Sequence, residues 1–171
     1  MKVSIPRLLA TAAVTIAVPC FAQTGTVTFY SIGLSPAQQV KVALVPAGAG
    51  PFTGWLFDGS QRMAHAQRGR FIAFHLATGE HQFTVPYKSS GPGKTALNLT
   101  VLGGGNYCVR LTAKYVNWIV APVSFVDSRI EQVPCQQALK EAGGYKRIDI
   151  DRVDPPVRTE LDSSVTFPRG N

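Results

Sequence analysis

The sequence predicts an all-β protein: an antiparallel β-sandwich, immunoglobulin-like or transthyretin-like, followed by a short C-terminal helix. Three observations predict it. Short segments that alternate apolar and polar residues run through most of the chain, separated by Gly, Pro, Asn and Ser clusters. Hydrophobic residues reach 45%, enough for a core, while charged residues stop at 16%. The 16 Gly and 12 Pro among 171 residues punctuate the chain without reaching the level of disordered or collagen-like sequences.

Residues 1–22 read as an address. Lys2 and Arg7 precede an uncharged run, LLATAAVTIAV, and a Pro-Cys-Phe-Ala exit. The run is too short to span a bilayer core, which needs roughly 20 residues. The pattern is that of a secretory signal cut after Ala22. An uncleaved N-terminal helix and lipid attachment at Cys20 are the alternatives, the latter disfavoured by Pro19 before the cysteine. Without Lys2 and Arg7 the chain keeps 15 basic and 10 acidic side chains, net +5, and offers no transmembrane span. In an oxidising compartment the two remaining cysteines, Cys108 and Cys135, read as one disulfide, two free buried thiols being the alternative.

Residues 23–133 carry the sandwich pattern. TVTFY (26–30) puts Val27 and Phe29 on one face, and VKVALVP (40–46) does the same for Val40, Val42 and Leu44. After the loop AGAGP (47–51), TGWLF (53–57) leads through Asp58-Gly59 to a returning strand at 61–65. The clearest hairpin is 70–87, RFIAFHL and HQFTVPY around Thr78-Gly79. Pairing Ala77 with Glu80 would place Ile72, Phe74, Leu76, Phe83 and Val85 on one inner face. Strand 95–101 presents Leu97, Leu99 and Val101. The turn at 103–106 leads to 107–113, with Tyr107, Val109, Leu111 and Ala113 opposite Cys108, Arg110 and Thr112. Residues 118–126 read as a strand interrupted by Pro122, at an edge or a bulge.

From Pro134 the period changes. Cys135, Ala138, Leu139 and Ala142 recur as one helical stripe, and Gly143-Gly144 ends it, giving a helix within 134–144. The tail, 145–171, interleaves acids and bases. IDIDRV (148–153) offers an edge strand, and disorder is expected beyond Pro155.

Chemistry-bearing patterns are sparse. His65, His75 and His81 lie close in sequence but lack metal-ligand spacing, so no metal and no cofactor is expected. No Gly-x-Ser-x-Gly occurs, and residues 23–126 of the sandwich hold only Asp58 and Glu80 as carboxylates, so the chain reads as a non-enzyme. Gly103-Gly104-Gly105 lacks the Lys-Ser/Thr of a phosphate loop and reads as a turn. Asn98-Leu99-Thr100 fits the glycosylation triplet but lies mid-strand. Charge is uneven: 23–126 holds 8 basic and 2 acidic side chains, 127–171 holds 7 and 8. Arg62, His65, Arg68 and Arg70 form the densest positive cluster, a candidate anion-binding patch for an anionic polymer or an envelope protein. The bland alternative is a solvated turn surface. Nucleic acid is not expected outside the cell, and no stacking aromatics interleave with these arginines.

GTVTFY (25–30), FDGSQRMAHAQRGRFIAFHLATGEH (57–81) and LNLTVLGGGNYCVRL (97–111) resemble the secreted bacterial family catalogued as domain of unknown function 2846. Gly69-Arg70-Phe71, Gly79-Glu80-His81 and Gly105-Asn106-Tyr107 stand at its Gly-turn positions. The resemblance covers roughly residues 25–130. Thr78 stands where proline is common, and the Cys135 helix is a departure. It implies a β-sandwich at the cell envelope and no catalytic residues. The expected function is a non-catalytic secreted or periplasmic module that binds or supports an envelope partner. The alternative is an envelope hydrolase or an inhibitor of one, although the basic sandwich suits an inhibitor of a basic hydrolase poorly.

Overall fold

A computed structural model describes residues 23–32, 54–85, 95–116 and 125–168. The signal reading, the strand at 40–46, the loop at 47–51 and Pro122 lie outside these residues. Nine strands are described: β1 (Thr24–Ser31), β2 (Gly54–Asp58), β3 (Gln61–Ala66), β4 (Arg70–Ala77), β5 (Gly79–Thr84), β6 (Ala96–Val101), β7 (Asn106–Val116), β8 (Phe125–Val133) and β9 (Lys146–Arg147). Helix α1 (Cys135–Glu141) separates β8 from β9, and 3-10 turns follow at Ile150–Arg152 and Pro155–Glu160.

The strands form two sheets, ordered β8-β7-β1-β4-β9 and β3-β2-β5-β6. The pairing is mostly antiparallel, with β1–β7 and β4–β9 parallel. The all-β sandwich with a short helix is therefore the observed fold. Its interior collects the alternate residues that the pattern marks, including Val27, Phe29, Ile72, Phe74, Phe83, Leu99, Val101, Val109 and Leu111. Phe29 of the first sheet meets Phe83 of the second edge-to-face, ring centres 4.9 Å apart.

The expected hairpin at 70–87 does not form. β4 pairs with β1, and β5 pairs with β6 and β2. Thr78-Gly79 is instead a corner where the chain leaves one sheet for the other, with Gly79 at φ +145, which glycine adopts at little cost. Both strands bury the predicted face, but they face each other across the sandwich, not along a hydrogen-bonded ladder. Alternation dictates which side is buried. It is silent on whether the neighbour lies about 4.8 Å away in the same sheet or about 10 Å away in the opposite one.

The asymmetry between the outer faces positions everything that follows. The five-stranded sheet is covered on both sides. Its outer residues Tyr30, Phe71, Cys108 and Val133 pack under Ala138 and Ala142 of α1 and under Phe167. The Cys108–Cys135 disulfide is present, with Cα atoms 5.1 Å apart, and pins the start of α1 to β7. Leu139 departs from its expected stripe and is 48% exposed, because two turns of helix offer the sheet only the small Ala138 and Ala142. The described strand at this end of the sheet is Phe125–Val133, while most of the expected strand at 118–126 lies outside the described residues; the edge strand is 146–147 and not 148–153.

The tail beyond Pro155 is ordered to residue 168, against expectation. Val153 bridges to Ala64 of β3 and Leu161 to Phe74 of β4, so the tail straps the seam between the two sheets. Val153, Val157 and Phe167 are buried. Arg147 holds the strap by donating to the carbonyls of Asp162, Ser163 and Val165.

Candidate binding face

The outer face of the four-stranded sheet carries the candidate site. Leu56 of β2 points inward, so Trp55 and Phe57 point out and are half-buried. β3 carries a bulge. Leu56 opposes Ala64, while the next residue, Phe57, opposes Arg62. Met63 and Ala64 are both buried, which lets Arg62 and His65, three residues apart, emerge on the same side. Both reach Trp55. The Arg62 guanidinium lies over the indole, 4.3 Å from its centre, and the His65 ring meets it edge-on at 5.3 Å.

Arg62 is held in place from the far side. Its Nε and Nη2 donate to Asp154 Oδ1 at 3.0 and 2.6 Å, and Gln61 Nε2 donates to the other carboxylate oxygen. Asp154 is buried, and its backbone N–H donates to the Met63 carbonyl. His65 keeps its neutral form because burial, and then the nearby Arg152 charge, push its pKa down. Its Nδ1 is buried with no hydrogen-bond partner among the described residues. Farther along the sheet, Gln82 Nε2 donates to Asn98 Oδ1 at 3.2 Å across β5 and β6, both side chains exposed.

The four residues of the expected anion patch therefore divide. Arg62 and His65 meet at Trp55, but the charge of Arg62 is matched by Asp154 and His65 is neutral. Arg70 turns away and donates to the Arg147 carbonyl at 3.0 Å. Arg68 sits in the turn between β3 and β4 and is engaged within the fold. Sequence reasoning missed Trp55 and Asp154. The bulge that re-aims Arg62 has no local signature, and Asp154 lies 92 residues away.

The histidines serve separate ends. His81 bridges the sheet-to-sheet corner: Nδ1 meets Asp58 Oδ2 at 2.5 Å, and Nε2 donates to the Ala77 carbonyl at 2.9 Å. Burial alone would lower its pKa, but the Asp58 hydrogen bond, the Ala77 carbonyl and the charges of Asp58 and Glu160 raise it, favouring imidazolium. Glu160 is pushed up by burial and by Asp58. His75 lies on the opposite sheet beside Thr26 and Asp162. No group of three or more metal-ligating side chains gathers among the described residues. Under α1, Glu141 accepts from the buried Tyr30 hydroxyl, from Arg110 and from Gln137. A concavity of about 360 Å³ flanks the disulfide, but Tyr107, its titratable side chain, is engaged by the Leu102 N–H.

The chain matches no family model, no curated protein and no solved structure.

Proposed function

We propose that this chain is an exported, non-catalytic β-sandwich module that binds or supports a partner at the cell envelope. One observation carries the reading: among the described residues, Asp58, His81, Glu141, Asp154 and Asp162 are each committed as ties between elements. Arg62–Asp154 and Asp162–Thr26 fasten the tail, Arg110–Glu141–Tyr30 fastens α1, and His81–Asp58 fastens the corner. A disulfide is compatible with export, and no helix among the described residues is long and apolar enough to cross a membrane. The resemblance to the domain of unknown function 2846 family supports the same reading.

A second reading, an envelope hydrolase, draws on Asp58, His81 and Glu160, a carboxylate, an imidazolium and a second carboxyl in electrostatic contact. Against it, both His81 nitrogens are occupied, and Asp58 Oδ1 also accepts the Gln82 backbone N–H. A panel of glycosidase, esterase and peptidase substrates separates the two. No turnover is expected. Turnover abolished by His81→Asn or Glu160→Gln in a folded protein would replace the module by the hydrolase. Intact mass of the protein from its own host tests export, with a start at Gln23 expected. A start at Met1 would remove the exported part of the reading.

A further inference from the structure

The two sheets differ in a way that assigns a ligand class, an inference that rests on the module reading above. The chain covers the outer face of the five-stranded sheet with α1 and Phe167. Among the described residues, the outer face of the other sheet carries a line of groups built for contact. Trp55 and Phe57 stand two residues apart on β2. Gly59, just beyond β2, lies beside Gln82, so the Gln82–Asn98 amide pair continues the same line. At about 3.3 Å per residue, the distance from Trp55 to the amide row is about 13 Å. That is longer than one sugar ring.

We propose that this face binds a neutral polysaccharide, with a sugar ring packed on the part of the Trp55 indole that Arg62 leaves exposed and hydroxyls met by Arg62, Gln82 and Asn98. The chemistry of each group fits. Arg62 lies over one face of the half-buried indole, and the ring surface still exposed offers an apolar, electron-rich contact to the polarised C–H groups of a pyranose ring. The Gln82–Asn98 bond leaves the Gln82 Oε1 acceptor and the Asn98 Nδ2 donors facing solvent, and a sugar hydroxyl both donates and accepts. Arg62 is 49% exposed, and its Nε and Nη2 are engaged by one carboxylate, so Nη1 points away from Asp154. The fork is pre-positioned over the indole, which lowers the ordering cost of binding. Charge selects the neutral ligand. Asp154 matches Arg62, His65 is uncharged, and Glu80 lies exposed on the same outer face. Arg152, whose charge reaches His65, has the exposed Asp151 beside it in the chain, so a polyanion would find little uncompensated positive charge here.

The probes are a soluble β-1,4-glucan and dextran, with heparin as the polyanion, in native affinity electrophoresis. Tryptophan emission is followed in a Trp118→Phe background, so that Trp55 reports alone. Retardation by at least one neutral polymer is expected, unchanged at about 0.5 M salt, where exposed charge pairs are screened. Trp55 emission should shift on binding. Trp55→Ala should weaken binding by about tenfold or more, and the exposed Asn98→Ala, chosen to leave the fold intact, should weaken it several-fold. No retardation by either neutral polymer overturns the proposal. So does retardation by heparin alone that salt abolishes, or an unaltered affinity in folded Trp55→Ala. These failures leave the module reading standing. Release of reducing ends from a bound polymer would instead overturn the non-catalytic reading while keeping the site.

Discussion

Glu141→Ala tests how the helix is held. The carboxylate accepts from Tyr30 Oη at 2.6 Å, from Arg110 Nη1 at 2.7 Å and from Gln137 Nε2 at 2.7 Å. Tyr30 is 1% exposed, so removing its acceptor leaves a buried hydroxyl unpaired at a cost of about 1–3 kcal/mol. Arg110 keeps Glu131, at 2.8 Å, so its loss is smaller. The expected destabilisation is about 2–4 kcal/mol, read as a urea midpoint lower by about 1–2 M. Tyr30→Phe with Glu141→Ala closes a double-mutant cycle, with an expected coupling of about 1–2 kcal/mol. The pH dependence supplies a second check. Burial would raise the Glu141 pKa, but the Tyr30, Gln137 and Arg110 contacts outweigh it and hold it below its ordinary 4.5. A depressed folded pKa gives stability that is present above 4.5 and lost as pH falls through the folded value. The gap between wild type and Glu141→Ala should therefore narrow below pH 4.5. A coupling near zero, or a gap that stays constant into acid, would refute the reasoning. The disulfide and apolar contacts alone would then hold α1.

Three further outcomes are expected. Phe167→Ala should cost about 3–5 kcal/mol, because its ring packs on Phe71 and Tyr30 at 4.8 and 6.1 Å; thermal unfolding near the wild-type midpoint would mean the tail does not contribute to the fold. Alkylation without reduction should label neither Cys108 nor Cys135, and the Cys108→Ser/Cys135→Ser double variant should lose about 3–4 kcal/mol for the loop it opens; equal melting curves would show that the bridge is not stabilising. NMR titration should place the His81 pKa above 6.5. Its raised value means stability present below 6.5 and lost as pH rises through the folded pKa, and the raised Glu160 adds a contribution of the same sign; His81→Asn should flatten that alkaline loss, and a His81 pKa at or below 6.5 would contradict the corner geometry.

Local patterning alone identified the strands that bury one face, the turn glycines, the start of α1 and the cysteine pair. Alternation at 72–76 and 97–101, the change of period after Pro134 and an even cysteine count are properties of neighbouring residues, and burial enforces them wherever the chain goes. Tertiary structure alone decided which strands pair. β4 and β5 read as a hairpin, yet they join opposite sheets, because the same inward face satisfies both arrangements and the deciding partners, β1 and β6, lie elsewhere in the chain. The tail escaped notice for a related reason. Val153, Val157 and Phe167 follow no helical or strand period and sit among charges, so their burial depends on a seam that exists only once two sheets have met. The Trp55 face has the same origin. Arg62 reads as part of a cationic patch until a bulge turns it over the indole and Asp154, from the far end of the chain, matches its charge.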